Sequence, residues 1–239
     1  MYLSVIIPAY NEEKRIKETL KSIDEYLRRQ NYDYEILVVS DGSKDDTVSL
    51  VKSLEPEIRG LRLIDIQENH GKGFSVKKGM LEAKGELRIF TDADNATHIS
   101  HLDNFAPYIN EGYGVVIGSI AIQGHKVASG SEPLWRRILG KLGNLFIQIM
   151  AVPGIYDTQR GFKLFTAKAA TDIFPKSTID RFGFDIEVLA LARKLGYKIK
   201  ELPVDWKNDP NSKVSLKSYF QVLTETILIR WNLMTGKYD

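Results

Sequence analysis

Asp92 and Asp94 stand one residue apart at the end of the apolar run Leu87-Arg88-Ile89-Phe90-Thr91. A strand alternates its side chains, so carboxylates at this spacing project to the same side. Two hard oxygen ligands at an open strand end suit a divalent cation, Mg2+ or Mn2+, that also grips a diphosphate. Taken alone, an Asp-x-Asp after a strand is more often an acidic turn, and the neighbouring strand ends change that weighing. After Leu3-Ser4-Val5-Ile6-Ile7 comes Pro8-Ala9-Tyr10-Asn11-Glu12, with Tyr10 suited to cover a base and Glu12 to accept from a ribose. After the run from Glu35 to Ser40 comes Asp41-Gly42-Ser43, where a carboxylate can accept the imide N–H of uracil. Asn69-His70-Gly71-Lys72-Gly73 adds a turn at a helix start, with Lys72 available to a phosphate. Ligands of open α/β sheets bind at the carboxyl ends of the strands. Three polar ends in one row read as a nucleotide cleft.

The elements that must position these residues alternate along the first half. Leu3–Ile7, Glu35–Ser40, Leu61–Ile66, Leu87–Thr91 and Gly114–Ser119 are short and rich in Val, Ile and Leu, as in a parallel sheet covered on both faces. Ile16, Leu20, Ile23 and Leu27 recur at helical spacing between the first two strands. Ser43, with Asp46 three residues on, resembles the capping box of a second helix, and Gly73 opens a third through Val76, Met80 and Ala83. This order predicts an open, doubly wound α/β sheet. The second half is less regular, with a polar loop over 123–132, helices over 133–150 and 184–195, and a late strand over 198–203. Leu216, Phe220, Leu223, Ile227, Trp231 and Met234 mark a C-terminal helical stripe, which reads as core packing or a dimer contact in preference to a membrane anchor. Residues 1–215 are expected to form the domain, and 216–239 its helical extension.

The 239 residues are 43% hydrophobic and 27% charged, ordinary for a folded protein. A formal net charge of +2 argues against nucleic acid as a partner. With no cysteine there is no disulfide or thiolate chemistry, and with four histidines a zinc site is not expected. The absence of cysteine suits a reducing compartment, and no signal peptide is expected from the first residues. The longest apolar stretch, Leu142 to Ile155, is about 14 residues, short of the roughly 20 that span a bilayer. The longer segment Pro133 to Ile155, with its basic start (Arg136, Arg137, Lys141) and apolar continuation, suits a helix lying in a membrane interface, as well as a core helix with a basic start. No Walker A loop and no G-x-G-x-x-G follows the first strand, which counts against an NTPase and a dinucleotide-dependent oxidoreductase.

Ser4–Glu13, Asp41-Gly42-Ser43, Asn69–Gly73 and Asp92-Ala93-Asp94 resemble, in this order, the motifs of family-2 inverting glycosyltransferases. Asp157-Thr158-Gln159-Arg160-Gly161-Phe162-Lys163-Leu164-Phe165 and Arg181–Glu187 look like the dolichyl-phosphate β-glucosyltransferases in particular, with dolichyl-phosphate mannose synthases next. Asn211-Ser212-Lys213 resembles a G-S-K element of the same group. The resemblance implies a GT-A fold, an open, mostly parallel sheet flanked by helices. It implies a nucleotide sugar, a polyprenyl (dolichyl) phosphate and a membrane surface as partners, with the protein peripheral on the cytoplasmic face. Residue by residue it gives Pro8, Tyr10, Glu12 and Asp41 to the nucleoside, Lys72 to base and phosphates, and Lys213 to the diphosphate. Asp92 faces ribose and metal, and Asp94 is the firmer metal ligand. Arg137 lies near the lipid phosphate, with Arg136, Lys141, Arg160 and Lys163 as helpers, and Asp157 faces the reacting centre.

The chain also departs from the pattern. It has Ser40-Asp41 for Asp-Asp, Gly118-Ser119-Ile120 for G-S-R, and Asn211 for the glycine of G-S-K. The missing arginine bears on the acceptor. A GDP-mannose donor, a non-lipid glycan acceptor, a nucleotidyltransferase and a non-catalytic sensor are the alternatives. The oligomeric state is left open.

Overall fold

Alternation decides the layering. Leu3, Val5 and Ile7 enter one apolar layer while Ile6 enters the other, so β1 (Leu3–Ala9) lies between two covered faces. The computed structural model describes residues 1–122, 134–207 and 216–239, without the side chains at 134–139, 141, 216 and 217. The chain continues through α1 (Ile16–Leu27), β2 (Tyr34–Asp41), α2 (Thr47–Leu54), β3 (Leu61–Ile66), α3 (Lys72–Glu82) and β4 (Leu87–Thr91). It goes on through α4 (Leu102–Asn110), β5 (Val115–Ser119), α5 (Leu134–Met150), β6 (Phe162–Thr166), α6 (Ala167–Ile173), α7 (Phe184–Lys194), β7 (Ile199–Pro203) and α8 (Leu216–Met234).

The described strands form one sheet in the order β3-β2-β1-β4-β6-β5-β7. All neighbours are parallel except β6, which runs antiparallel to both β4 and β5. Its insertion brings the start of β6 beside the end of β4, with Thr91 opposite Phe162. One apolar layer gathers Ile6, Val76, Met80, Phe90, Phe165 and Phe184; the other gathers Leu3, Ile16, Leu20, Phe105, Phe162 and Leu164. This is the sheet of a GT-A fold.

Three local expectations change. Ser43 does not cap α2: the helix begins at Thr47, and the Asp45 carboxylate accepts from the Thr47 N–H and hydroxyl while Ser43 Oγ accepts from Asn11 N–H. Phe162–Thr166, α4 and α6 are elements the periodicity does not announce. The α8 stripe is not core. Phe220, Ile227, Trp231 and Met234 are exposed, and the buried face is Val222, Thr226, Ile229 and Asn232. The two polar residues turn inward because they are satisfied, Thr226 Oγ1 by the Val222 carbonyl and Asn232 Nδ2 by Tyr238 Oη. The polar loop expected over 123–132 lies outside the described residues. Among those described, no helix is long and apolar enough to cross a membrane.

Candidate active site

β4 ends at Thr91, so Asp92 and Asp94 sit on the turn that follows. That turn is held by three hydrogen bonds, one to the segment before β6 and two to α1. The Asp92 N–H donates to the Gly161 carbonyl at 3.2 Å, prolonging the β4–β6 pairing. Thr19 Oγ1 on α1 donates to the Ala93 carbonyl at 2.7 Å, and Asn95 Nδ2 donates to Ser22 Oγ at 3.1 Å. Asn95 itself has φ 52°, a left-handed conformation that asparagine tolerates. The Asp94 carboxylate accepts from the Ala96 N–H at 3.0 Å.

Lys72 reaches this turn from the first residue of α3, its ammonium 2.6 Å from Asp92 Oδ1. Gly71 precedes it at φ 124°, and a Cβ there would stand 2.4 Å from the Asp180 carbonyl, so only glycine fits. Burial pushes the Asp94 carboxyl above the ordinary range and the Asp92 charge adds to it, with the Ala96 N–H, Arg15 and Lys72 opposing. Burial works against the Lys72 ammonium, yet Asp92, Asp185 and Asp94 outweigh it and hold its pKa above the usual lysine value.

Asp157 and Arg160 arrive at the same end of the sheet from the segment before β6. Asp157 Oδ2 accepts from the Ile120 N–H, just past β5, at 3.0 Å and from Arg160 Nε at 3.3 Å. The Arg160 guanidinium lies 4.8 Å from the Trp206 ring centre. Gly161 passes so close to Asp92 that a Cβ there would meet Oδ2 at 2.0 Å.

On the other flank, the ends of β1 and β2 are laced together. Lys44 N–H donates to Asn11 Oδ1 and Glu12 N–H to Thr47 Oγ1. A cavity of about 510 Å³ is lined there by Asn11, Glu12, Glu13, Lys14, Arg15, Lys44 and Asp45. Tyr10 stands exposed beside it, and Pro8 is buried within β1. The Glu12 carboxylate pairs with Arg15.

Two residues expected at the ligand are engaged by other parts of the chain. Asp41 is buried, and its carboxylate accepts from Asn69 Nδ2, the His70 N–H and the Gly71 N–H at 2.9, 2.9 and 2.7 Å. It holds the turn into α3 where a base contact is expected. Lys163 is fully buried, its ammonium taken by Asp185 and the Arg160 carbonyl, so it does not present itself to an acceptor phosphate. Arg136, Arg137 and Lys141 fall on α5, but their side chains lie outside the described residues, as does all of Lys213. Sequence reasoning missed Asp185 as a member of this cluster. The signal was a lysine inside the apolar run Phe162-Lys163-Leu164-Phe165 and an aspartate opening an apolar helix, since buried charges of opposite sign are expected to pair.

Residues 4–174 match the glycosyl transferase family 2 model. A dolichyl-phosphate beta-glucosyltransferase of Dictyostelium discoideum is 36% identical over 251 residues, covering 99% of this chain and 76% of that protein. One from Trichomonas vaginalis is 37% identical, covering 96% and 73%, and the Homo sapiens protein is 33% identical, covering 99% and 77%. Among solved structures, glucosyl-3-phosphoglycerate synthase from Mycobacterium tuberculosis with Mn2+, UDP-glucose and phosphoglyceric acid superposes with a TM-score of 0.70. It is 19% identical and covers 96% of this chain and 79% of that one, a likeness of fold.

Proposed function

The chain belongs to glycosyl transferase family 2, and from that premise we propose that it transfers glucose, with inversion, from UDP-glucose to dolichyl or another polyprenyl phosphate at a membrane surface. We place it on the cytoplasmic face of that membrane. The observation that carries this function is the run of dolichyl-phosphate beta-glucosyltransferases matching nearly the whole chain.

Asp92 and Asp94 fit a Mg2+ or Mn2+ ion. Both offer hard oxygens, and burial plus the Asp92 charge disfavour the ionised Asp94, a penalty that a cation relieves. Among the described residues no group of three His, Cys, Asp or Glu could hold a metal. A two-carboxylate set suits an ion that draws its other ligands from water and substrate phosphates. When bound, such an ion neutralises charge on the departing nucleoside diphosphate.

Lys72 supplies a second positive charge at the same point, where the N-terminus of α3 adds its own partial charge. The diphosphate displaces Asp92 as the partner of its ammonium. An acceptor phosphate oxygen forms the bond to the anomeric carbon from the opposite face. The bond from that carbon to the diphosphate breaks, its electron pair leaving with UDP. A phosphate monoester, with a second pKa of about 6, is already largely dianionic at neutral pH and needs no general base. That leaves Asp157, committed to Ile120 and Arg160, as an orienting carboxylate. Arg160 and the basic start of α5 gather the acceptor phosphate, and Lys213 the diphosphate.

A membrane contact is supported by the helices beside the site. α5 packs beside α8, with Leu142, Leu145 and Ile149 exposed on one and Phe220, Ile227, Trp231 and Met234 on the other. The function is tested by presenting dolichyl phosphate vesicles with labelled UDP-glucose and labelled GDP-mannose separately. Organic-phase label from UDP-glucose supports it. Label from GDP-mannose alone replaces the donor, and none from either removes the lipid acceptor.

A further inference from the structure

A buried ion pair runs beneath the candidate site. Lys163, the second residue of β6, has no exposed surface, and Asp185, on the first turn of α7, has a side chain 4% exposed. Their charged ends are hydrogen-bonded, and the Lys163 ammonium lies 5.1 Å from the centre of the Phe90 ring. Burial pushes the Asp185 carboxyl up and the Lys163 ammonium down, each opposed by the partner's charge. Replacing such a pair by well-packed apolar residues is often neutral or stabilising. Stability alone therefore does not account for charges in this place.

What the pair holds is a turn. Lys163 Nζ donates to the Arg160 carbonyl at 2.6 Å, and the Phe162 N–H donates to the same oxygen at 2.8 Å. The next carbonyl, of Gly161, accepts the Asp92 N–H. The Arg160 side chain meets Asp157 and covers Trp206. Slack in Lys163 is therefore passed to the Asp92 backbone on one side and the Asp157 carboxylate on the other.

Building on the function proposed above, we infer that Asp185, acting through Lys163, is a positioning residue of the transfer site, fixing the Arg160–Gly161 turn that sets Asp92 and Asp157. Neither member of the pair touches substrate. Their contribution is the placement of groups that do.

The test replaces the pair by apolar residues of similar size, Lys163→Met with Asp185→Leu, and separately lengthens one arm with Asp185→Glu. Both are compared with wild type by amide hydrogen exchange at Asp92 and by steady-state transfer from UDP-glucose to dolichyl phosphate. In the folded double variant the Asp92 N–H is expected to exchange about tenfold faster at unchanged global stability. Transfer is expected to show a kcat about 10- to 100-fold lower, with the donor KM moving far less. Asp185→Glu keeps the buried charges, and so stays informative if the double variant does not fold; the same two changes are expected of it. Wild-type exchange at Asp92, or wild-type kcat, in a folded variant overturns the positioning role. If wild type itself transfers nothing, the proposed function falls, and exchange at Asp92 still decides the role of the pair.

Discussion

The Lys72 ammonium lies 2.6 Å from the Asp92 carboxylate, joining the start of α3 to the turn after β4. Under the proposed function, lysine and metal would compete for one carboxylate. Substituting Lys72→Met is thus expected to act in two directions. Mn2+ alone binds severalfold tighter, because Asp92 is released, while kcat/KM for transfer falls about 100-fold, because a cation facing the diphosphate is lost. Isothermal titration with Mn2+ and a transfer assay read the two separately. Weaker Mn2+ binding would remove Asp92 from the metal site.

Gly161 is tested by alanine. Its Cβ would enter the space of the Asp92 carboxylate, 2.0 Å from Oδ2. Gly161→Ala is expected to lower kcat/KM about 100-fold through displacement of Asp92, with a smaller effect on the melting temperature. Unchanged kinetics would mean that the carboxylate need not sit where the structure has it.

The buried pair yields a stability prediction separate from its positioning role. Asp185→Asn leaves the Lys163 ammonium buried without its counter-charge, expected to cost about 3–5 kcal/mol, read as a fall in the urea midpoint. A loss below about 1 kcal/mol would place the pair in a surface-like environment.

Much of the fold was legible in the sequence, because β-strands buried on both faces and amphipathic helices announce themselves by composition and period. Leu61–Ile66 and Leu87–Thr91 fall on their expected bounds, and the Ile16–Leu27 period gives α1. Pairing across the chain was not legible. Lys163 reads from sequence as a ligand-facing cation since its partner, Asp185, is 22 residues on, and a one-dimensional pattern carries no record of that contact. The hydrogen bonds that Asp41 accepts were not legible either, since its three donors come from residues 69–71. The α8 stripe misleads for a related reason: Thr226 and Asn232 look solvent-facing until their internal hydrogen bonds are seen.

A pH dependence follows from His101. Its Nε2 accepts the Asp205 N–H, and burial lowers its pKa, with Asp205 opposing and His98 adding. A depressed histidine contributes stability above its unfolded pKa of about 6.5, and that contribution is lost as pH falls through the folded value. The melting temperature of wild type is therefore expected to fall between pH 7.5 and 5 more steeply than that of His101→Gln. Parallel slopes would take His101 out of the acid response.

The membrane face is tested with Ile149→Glu and Trp231→Glu, which put charge on exposed apolar positions of α5 and α8. Both are expected to fold as wild type and to lose flotation with liposomes carrying anionic lipid. Full flotation of both variants would place the contact elsewhere.

Organic-phase label from UDP-[14C]glucose and dolichyl phosphate, compared between wild type and Asp94→Asn with and without Mg2+ or Mn2+, tests the central claim most directly. Expected is metal-dependent label with wild type and at least about a 100-fold loss in Asp94→Asn. Label that persists in the variant, or in wild type stripped of divalent cations, would contradict a transfer centred on the Asp92–Asp94 turn.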